Sequence, residues 1–270
     1  MKKKNKNKFV SVVVINYNNS GRIRRCIDSL NKQTYKNFEI VFIDDQSTDN
    51  SQKILKKIQQ KVLNLNFFIT NKKTQFGCYN QINACQLGLK KSKGEIIFFL
   101  DSDDFFAKNK IEVVMNYFEM KNDLKFLMDK PYIFYNKNNK YRMTIRRRSE
   151  LLISWPKISP QSCMVIKKNY LKKIFSKIKI NKFPSIWFDF RLSLQVYLDY
   201  KKLIILDKYL TYYQQSTSAV TSKYKKFSSN WWKRRKEAYK FNTYLCKKNN
   251  LNPRISIDYF FSNLINLFIK

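Results

Sequence analysis

Six aspartates form two groups, and each group directly follows a short apolar run. The runs are Phe38–Ile43 and Ile96–Leu100, and the aspartates are Asp44, Asp45, Asp49, Asp101, Asp103 and Asp104. An apolar run that ends abruptly in carboxylates is typical of a buried strand that carries charge to the carboxyl edge of a sheet. In open α/β sheets, ligands bind at that edge. Neighbouring carboxylates repel one another unless a cation lies between them. The pattern therefore predicts a divalent metal and a ligand there.

The second group is the candidate metal site. On an extended chain Asp101 and Asp103 point to the same side, and two such carboxylates suit a hard cation that keeps positions open for substrate phosphates. The alternative is a cluster of helix-capping aspartates. The chain has no histidine, which excludes Ser-His-Asp and Cys-His catalysis and imidazole ligands. A metal site would therefore favour Mg or Mn over Zn, and the general base must be a carboxylate or, as alternatives, Lys, Tyr or Cys.

The first group and the turn after the first strand are candidates for nucleotide binding. Asp45 can accept hydrogen bonds from a base N–H or from ribose hydroxyls, whereas Asp49 or Ser51 could cap the next helix. The turn Asn16-Tyr17-Asn18 lies beside the predicted switch point of the sheet, and an ordinary polar turn is the alternative. The sequence contains neither GxGxxG nor GxxxxGK[ST], so a glycine-rich phosphate loop is excluded.

Composition restricts the partners and the compartment. There are 54 Lys and Arg against 19 Asp and Glu, a net charge of +35. This charge predicts an anionic partner (nucleic acid, an anionic membrane surface or phosphorylated substrates), with a solvated Lys-rich surface as the alternative. Five cysteines without CxxC predict free thiols in a reducing cytoplasm. No run approaches the ~18 apolar residues that span a bilayer and no signal peptide is recognised, so we expect a cytoplasmic chain, soluble or peripheral on the membrane.

Apolar periodicity predicts alternating strands and helices through about residue 104. Strands are predicted at Phe9–Ile15, Phe38–Ile43, Leu65–Ile69 and Ile96–Leu100. The helices between them are marked by Ile23–Leu30 after a Ser20 cap, by Ile54–Val62 and by Ile82–Leu89. This alternation predicts an α/β fold with a doubly wound, mostly parallel sheet.

The second half of the chain is less regular. Helices are predicted at Lys110–Glu119 and Trp187–Leu198, and strands at Tyr132–Tyr135, Lys140–Ile145, Ser162–Ile166, Leu203–Leu206 and Tyr209–Tyr213. The first two of these strands should pair around the Asn138-Asn139 turn. We expect one domain over 1–220, in which the regular alternation ends near residue 105. A basic, aromatic, helical extension should follow at 221–270.

The extension carries basic residues beside aromatic ones in Trp231–Lys236, followed by the segment Tyr259–Ile269. This composition suits an anionic membrane interface. The alternative is a helix that packs its aromatic face onto the domain.

Together the acidic segments resemble glycosyltransferase family 2, which has the GT-A fold. The family pattern matches, in order and spacing over about the first 105 residues, Ile15–Asn18, Ile43–Asp49, Gly77–Asn83 and Gly94–Asp104. The resemblance implies metal-dependent, inverting transfer of a sugar from a nucleotide diphosphate sugar to a hydroxyl of a growing cell-surface glycan, such as lipooligosaccharide or capsule. It implies a nucleotide-binding half at 1–105 and an acceptor half at 106–220. It also implies Mn or Mg on Asp103 and Asp101. The implied donor contacts are Asn16, Tyr17, Asn18, Asp45, Asn83, Asp101 and Ser102.

The resemblance also implies a base and acceptor contacts. Asp189, in a segment that takes the place of the family's ED-W motif, would be the catalytic base, although Phe188 replaces the Glu. Trp187 and Asp104 would contact a glycan or glycolipid acceptor. The family's Arg before Asn83 is replaced by Ile82. Its basic diphosphate contact is missing as well, and Gln214 or Lys223 could substitute for it.

Two other functions remain open from the residues. A nucleotidyltransferase would share the sheet and acidic site, but it should show a glycine-rich basic loop after the first strand, which this chain lacks. A basic nucleic-acid-binding protein would account for the charge but not for strands ending in aspartates. We therefore expect no specific nucleic-acid partner.

Overall fold

The computed structural model describes residues 8–136, 139–145, 149, 151–178, 181–215 and 224–269. The predicted βαβαβαβ alternation is confirmed. The strands are β1 Val10–Asn16, β2 Phe38–Asp44, β3 Leu65–Ile69, β4 Ile96–Asp101, β5 Phe105–Phe106, β6 Phe126–Asn136, β7 Asn139–Arg142, β8 Met164–Lys167 and β9 Ile205–Gln214. The helices are α1 Ile23–Asn31, α2 Ser51–Gln59, α3 Gly77–Lys91, α4 Lys110–Met120, α5 Lys168–Lys177, α6 Phe188–Tyr200, α7 Ser229–Lys248 and α8 Ile257–Phe268.

The strands form one sheet in the order β3-β2-β1-β4-β8-β6-β9-β5, with β7 paired to β6. The first four strands in that order are parallel. β8 runs antiparallel to both β4 and β6, whereas β6 and β9 are parallel. The sheet is therefore doubly wound and parallel in its N-terminal half, as predicted, and mixed beyond β4.

Both faces of the sheet are buried because apolar residues occupy successive positions of the central strands. In β1, Val13 packs with residues of α3, α6 and α7 on one face. Its neighbours Val12 and Val14 pack with α1 and α4 on the other. Two helical layers therefore cover the sheet and hold its carboxyl edge in place.

Local details differ from the sequence-based prediction. Helix α1 begins at Ile23 after Arg22 and has no side-chain cap, so the Ser20 cap was wrong. The two short strands expected near residues 203–213 form one strand, β9, whose pairing with β6 contains register shifts. Residues Gln161–Cys163 form a 3-10 turn before β8, and α5 was not predicted. Of the predicted Asn138-Asn139 turn, Asn138 lies outside the described residues.

Helix α7 packs against the domain through buried residues that include Ala238, Tyr239, Phe241 and Leu245, and all four belong to the core on the α3 side of the sheet. The packing alternative is therefore correct for α7. The domain boundary near residue 220 stays a prediction, because residues 216–223 are not described.

All five cysteines are buried free thiols. Within the described ranges no helix has the length and apolarity needed to cross a membrane.

Candidate active site

The register of the parallel strands brings the polar segments together. Ile15 pairs with Asp101 across β1 and β4, and Asn16 pairs with Asp44 across β1 and β2. Asp45 follows at once, and its backbone N–H donates to the Asn16 carbonyl at 2.8 Å. The predicted convergence of both acidic segments at one edge of the sheet is therefore present.

The buried side chain of Asn16 links the two acidic segments by hydrogen bonds. Its Nδ2 donates to Asp44 Oδ1 at 2.7 Å, and its Oδ1 accepts from Ser102 Oγ at 2.7 Å. Asn16 and Ser102 are both buried. Their side-chain polar atoms are occupied by these bonds, and their predicted contacts with the donor stay a prediction. In the structure they hold the ends of β1, β2 and β4 together.

Asn18 ties the two loops at this edge together. Its φ is +50°, a conformation that Asn tolerates better than most residues. Its Oδ1 accepts from the Thr48 backbone N–H at 2.8 Å, and its own N–H donates to Ser47 Oγ at 2.9 Å. Asp49 adds a second tie, because its two oxygens accept from the N–H groups of Ser20 and Ser51. Asn18 therefore fixes loop geometry, and it does not line the cavity described next.

A cavity of about 690 Å³ opens at this edge. Five of the predicted site residues line it: Tyr17, Asp45, Asp101, Asp103 and Trp187. The other described lining residues come mainly from the β3–α3 loop, the start of α3 and the segment before α6, and they include Lys73, Gly77, Gln81, Ser185 and Tyr224. Gly77 lies close to Trp187, since a Cβ at this glycine would meet Trp187 Cη2 at 3.3 Å. The first turn of α3 thus leaves room for the indole at the cavity wall.

Asp101 and Asp103 concentrate negative charge in the cavity. Burial, Asp103 and Asp189 together raise the pKa of Asp101 well above its usual value. Burial also raises the pKa of Asp103, and Arg22 and Arg25 only partly counter this. Both raised pKa values mean that the surrounding protein does not fully stabilise the negative charges of the two carboxylates. A cation bound between them would stabilise those charges.

The described residues suit a cation held jointly with a substrate. No group of three or more His, Cys, Asp or Glu side chains in the described ranges could hold a metal ion. Asp101 and Asp103 instead offer two hard oxygen ligands beside open space. This donor set fits Mg or Mn, which typically bind one or two carboxylates, waters and substrate phosphates.

A buried support holds the Asp101–Asp104 loop. Gln161 Nε2 donates to Asp101 Oδ1 at 2.8 Å. Ser162 Oγ donates to Asp104 Oδ2 at 2.5 Å and accepts from the Asp101 N–H at 2.9 Å. The other Asp104 oxygen accepts from the Gln214 N–H at 2.7 Å. Asp104 is only 1% exposed and both of its oxygens accept hydrogen bonds inside the protein, so it supports the loop. Its contact with an acceptor stays a prediction.

Asp45 and Lys73 form the opposite side of the cavity. Asp45 Oδ1 accepts from Thr70 Oγ1 at 2.9 Å. Burial raises the pKa of Asp45, while the Thr70 hydrogen bond and Lys73 oppose the rise. Lys73 Nζ lies 4.0 Å from the Tyr17 ring centroid and 3.3 Å from the Gln46 carbonyl oxygen. A carboxylate, an exposed aromatic face and an ammonium group are thereby placed within one cavity.

Asp189 lies in the first turn of α6, next to Trp187. Burial raises its pKa, and Arg234 of α7 opposes the rise. Asp189 does not line the 690 Å³ cavity, but it is close enough to Asp101 to raise that residue's pKa. A second cavity of about 300 Å³ is lined by Trp155, Ile186, Phe190, Tyr224, Trp231, Arg234, Arg235 and Ala238. Tyr224 lines both cavities, so the two adjoin on the side where Asp189 lies.

The remaining predicted contacts lie away from the cavity. Asn83 is half-buried on α3 and is not one of the described lining residues. Asn80 and Gln81, which come earlier on α3, line the cavity. The Gln214 side chain donates to three carbonyl groups and accepts from Arg25, so it is not free to replace the missing basic contact. Lys223 lies outside the described residues.

Three basic residues near the site were not predicted from the sequence as site residues: Lys73, Arg22 and Arg234. Lys73 sits in a loop with no motif, and Arg234 is separated from Asp189 by 45 positions of sequence. In a chain with 54 Lys and Arg, residue type alone gives no signal for any of them. Only the position of Lys73 just before the matched segment Gly77–Asn83 could have suggested it.

The fold and the site together describe a mixed α/β domain that gathers carboxylates around a cavity at the carboxyl edge of its sheet. The family model for glycosyl transferase family 2 matches residues 11–191, which is more than half of the chain. The chain therefore belongs to glycosyltransferase family 2, and the predicted family and enzyme class are confirmed.

Relatives with curated names agree with this assignment. An uncharacterized glycosyltransferase of Haemophilus influenzae is 28% identical over 266 residues, 97% of each chain. Another from Rickettsia bellii is 36% identical over 113 residues, 42% of this chain but 15% of that protein. WfaP of Escherichia coli, named UDP-Glc:alpha-D-GlcNAc-diphosphoundecaprenol beta-1,3-glucosyltransferase, is 35% identical over 111 residues, 41% of each. The chain thus spans less than half of the length of the last two.

Two solved structures share the fold. TarS 1-349 of S. aureus in complex with UDP-GlcNAc superposes with a TM-score of 0.62 at 19% identity and covers 87% of this chain and 66% of that one. The mannosyltransferase PcManGT from Pyrobaculum calidifontis, in complex with GDP-Man and Mn2+, gives 0.57 at 12% identity and covers 95% and 69%. These likenesses confirm the predicted α/β glycosyltransferase fold.

Proposed function

We propose that this chain is a metal-dependent, inverting glycosyltransferase that moves a sugar from a nucleotide diphosphate sugar to a hydroxyl of a growing cell-surface glycan. One observation carries the proposal: Asp45, Asp101 and Asp103 meet around a single cavity at the carboxyl edge of the sheet. Family membership supports it over a nucleotidyltransferase or a nucleic-acid-binding protein.

The nucleoside would occupy the side of the cavity formed by Tyr17, Asp45 and Lys73. Tyr17 is 47% exposed and offers a ring face for a base. The Asp45 carboxylate can accept from a base N–H or ribose hydroxyls. Lys73 lies beside both groups and can meet a phosphate, which makes it our candidate for the basic contact that the sequence lacked. The named complexes of TarS with UDP-GlcNAc and PcManGT with GDP-Man support a donor of this class.

The diphosphate would lie at Asp101 and Asp103, which would hold Mn or Mg together with the donor phosphates. When bound there, the cation would neutralise the charge that develops on the leaving diphosphate. The protein's own contribution is positional: Gln161 and Ser162 fix the Asp101 side chain and backbone. The Mn2+ named in the PcManGT complex supports this choice of metal.

Asp189 would act as the general base. As a carboxylate it can take the proton from the attacking acceptor hydroxyl. Burial raises the pKa of Asp189, and a higher pKa makes the carboxylate a stronger base. Attack from the face opposite the leaving group inverts the anomeric carbon in one displacement. The 300 Å³ cavity on the Asp189 side, which Trp155 and Trp231 help to line, would receive the acceptor sugar. Trp187 would lie between it and the donor.

The acceptor is proposed to be a bacterial surface glycan, such as lipooligosaccharide or capsule, assembled at the inner face of the cytoplasmic membrane. The name of the E. coli relative, which includes a diphosphoundecaprenol-linked acceptor, supports a glycan acceptor carried on lipid. A net charge of +35 favours an anionic surface nearby.

A donor screen tests this function. The protein is incubated with UDP- and GDP-sugars and Mn, with and without candidate acceptors, and release of nucleoside diphosphate is measured. We expect release from one nucleotide class, increased by acceptor. No release from any nucleotide sugar, with release of pyrophosphate from a nucleoside triphosphate instead, would favour the nucleotidyltransferase.

A further inference from the structure

Helix α8 presents its polar side to the protein. Asp258, Ser262 and Asn266 recur every four residues and therefore share one face. Asp258 Oδ2 lies 2.5 Å from Arg235 Nε in an ion pair, Ser262 is fully buried, and Asn266 Nδ2 donates to the Trp232 carbonyl at 3.0 Å. The contacts with α7 are therefore made by this face together with Tyr259, whose ring packs edge-on against Tyr239 with the centroids 5.2 Å apart.

The opposite face of α8 is apolar and points to solvent. Its exposed residues recur at helical spacing, with exposed fractions from 51% to 81%: Ile257, Phe260, Phe261, Leu264, Leu267 and Phe268. We call these six residues the apolar stripe. Leu151 and Leu152, which are 77% and 54% exposed, extend it, because their carbonyls accept from the first N–H groups of α8. This polarity is the reverse of a helix that packs its apolar side on a core.

Such a large contiguous apolar surface marks a membrane or protein contact. Its charge surroundings favour a membrane. Helix α7 carries lysines at intervals of three, four and seven residues, which places them on one side: Lys233, Lys236, Lys240 and Lys247. We call these the lysine stripe. The first three directly follow Trp232, Arg235 and Tyr239, the α7 residues that contact α8 or its N-cap Ser256. The lysine stripe therefore lies roughly a quarter turn round α7 from the contacts with α8, on one flank of that contact.

A second copy of the chain fits this surface poorly. Pairing two apolar stripes would bring two lysine stripes and two chains of charge +35 together, and like charges repel. An anionic bilayer has the opposite sign and offers an apolar layer as well. Helix α8 has 12 residues, roughly 18 Å of helix, which is too short for a hydrocarbon core of about 30 Å. A flat position in the interface matches this length.

We propose that α8 lies in the plane of an anionic membrane, with its apolar stripe at the boundary of headgroups and acyl chains and the lysine stripe of α7 against the headgroups. The proposal deepens the proposed function by naming the surface that brings the active site to a lipid-borne acceptor, and it rests on that function for the choice of membrane. The binding itself needs no catalysis.

Cosedimentation with vesicles tests the proposal. The full chain is mixed with phosphatidylcholine vesicles containing or lacking phosphatidylglycerol. The variant Phe260→Ser/Leu264→Ser/Phe268→Ser is compared with wild type. A matched control, Leu63→Ser/Met120→Ser, changes residues that are 103% and 80% exposed elsewhere. We expect wild type and control to bind the anionic vesicles and the stripe variant to lose at least tenfold in affinity. Replacing Lys236, Lys240 and Lys247 by Gln should cost on the order of 10²-fold on anionic vesicles.

Two further measurements separate the outcomes. Release of nucleoside diphosphate with a soluble acceptor should be the same for all variants. If this release is absent while vesicle binding is normal, the proposed function is contradicted and the membrane proposal is not. Sedimentation velocity in the absence of lipid should give a monomer. Equal vesicle binding by wild type and stripe variant, or a wild-type dimer that dissociates in the stripe variant, would overturn the membrane proposal.

Discussion

Lys110 Nζ lies 2.8 Å from Asp129 Oδ1, and both side chains are fully buried. Lys110 also donates to the Ser162 carbonyl at 2.7 Å, and Ser162 in turn binds Asp104 and the backbone of Asp101. A buried ion pair therefore anchors the turn that positions the candidate metal ligands.

Lys110→Met should destabilise the fold strongly. The substitution leaves the Asp129 charge buried without its cation, which typically costs about 3–5 kcal/mol. Urea unfolding followed by circular dichroism measures the change. The matched control is Asp207→Asn, which removes the surface pair Lys130–Asp207 next along β6 and should change stability far less. If the two substitutions lower the free energy of unfolding equally, the buried pair does not stabilise the fold more than the surface pair does.

Asp45→Ala should weaken donor binding. It removes an acceptor for a base or ribose hydrogen bond, and stranding a buried polar partner typically costs about 1–3 kcal/mol. Calorimetry with the nucleoside diphosphate measures the loss. Thr70→Val serves as the control, because it removes only the internal hydrogen bond to Asp45 and should cost less. If Asp45→Ala binds nucleotide as tightly as wild type, its role is structural.

Asp189→Asn should reduce the transfer rate by roughly 10²–10⁴-fold. The amide is nearly isosteric but cannot accept the proton from the acceptor hydroxyl. Donor affinity should stay near that of wild type, which separates a lost base from a distorted site. Single-turnover transfer and nucleotide calorimetry give the two quantities. Normal turnover by this variant would exclude Asp189 as the base.

Arg234→Ala should move the acid limb of the rate–pH profile to higher pH. Burial raises the pKa of Asp189 and Arg234 opposes that rise, so removing the guanidinium raises the pKa further. The active form of Asp189 is the carboxylate, which is lost as pH falls through this pKa; at a given acidic pH the variant therefore has less active base. Lys240→Ala, an exposed lysine of the same helix, is the control and should leave the limb in place. An unchanged limb in Arg234→Ala would contradict the coupling.

The sequence predicted the parts of the fold and site that follow from local pattern. Apolar runs such as Ile96–Leu100 identify strands buried on both faces, and aspartates at strand ends predict the edge where Asp45, Asp101 and Asp103 meet. Which polar groups turn inward could not be predicted. Asn16 and Ser102 bond to each other across 86 positions, and pairing at that distance depends on the assembled sheet.

The C-terminal helices show the same limit. Aromatic and basic residues of Trp231–Lys236 suggested a membrane face. In the structure Arg235 is held by Asp258 and α7 packs on the core, and only Lys233 and Lys236 of this segment belong to the lysine stripe. Helix α8 instead carries the exposed apolar face. Its pattern shows two faces, but only the contacts with α7 show that the polar face is the buried one.

The central claim is that Asp101 and Asp103 hold a divalent cation together with the donor diphosphate. Electron paramagnetic resonance of Mn2+ tests it most directly, because bound and free ions give different signals without any turnover. We expect wild type to bind Mn2+ tightly only with nucleoside diphosphate present, Asp103→Ala to lose this binding, and Asp28→Ala, at an exposed aspartate of α1, to keep it. Chelation should abolish transfer, and added Mn or Mg should restore it. Equal Mn2+ binding by wild type and Asp103→Ala, or full activity in excess chelator, would contradict the account.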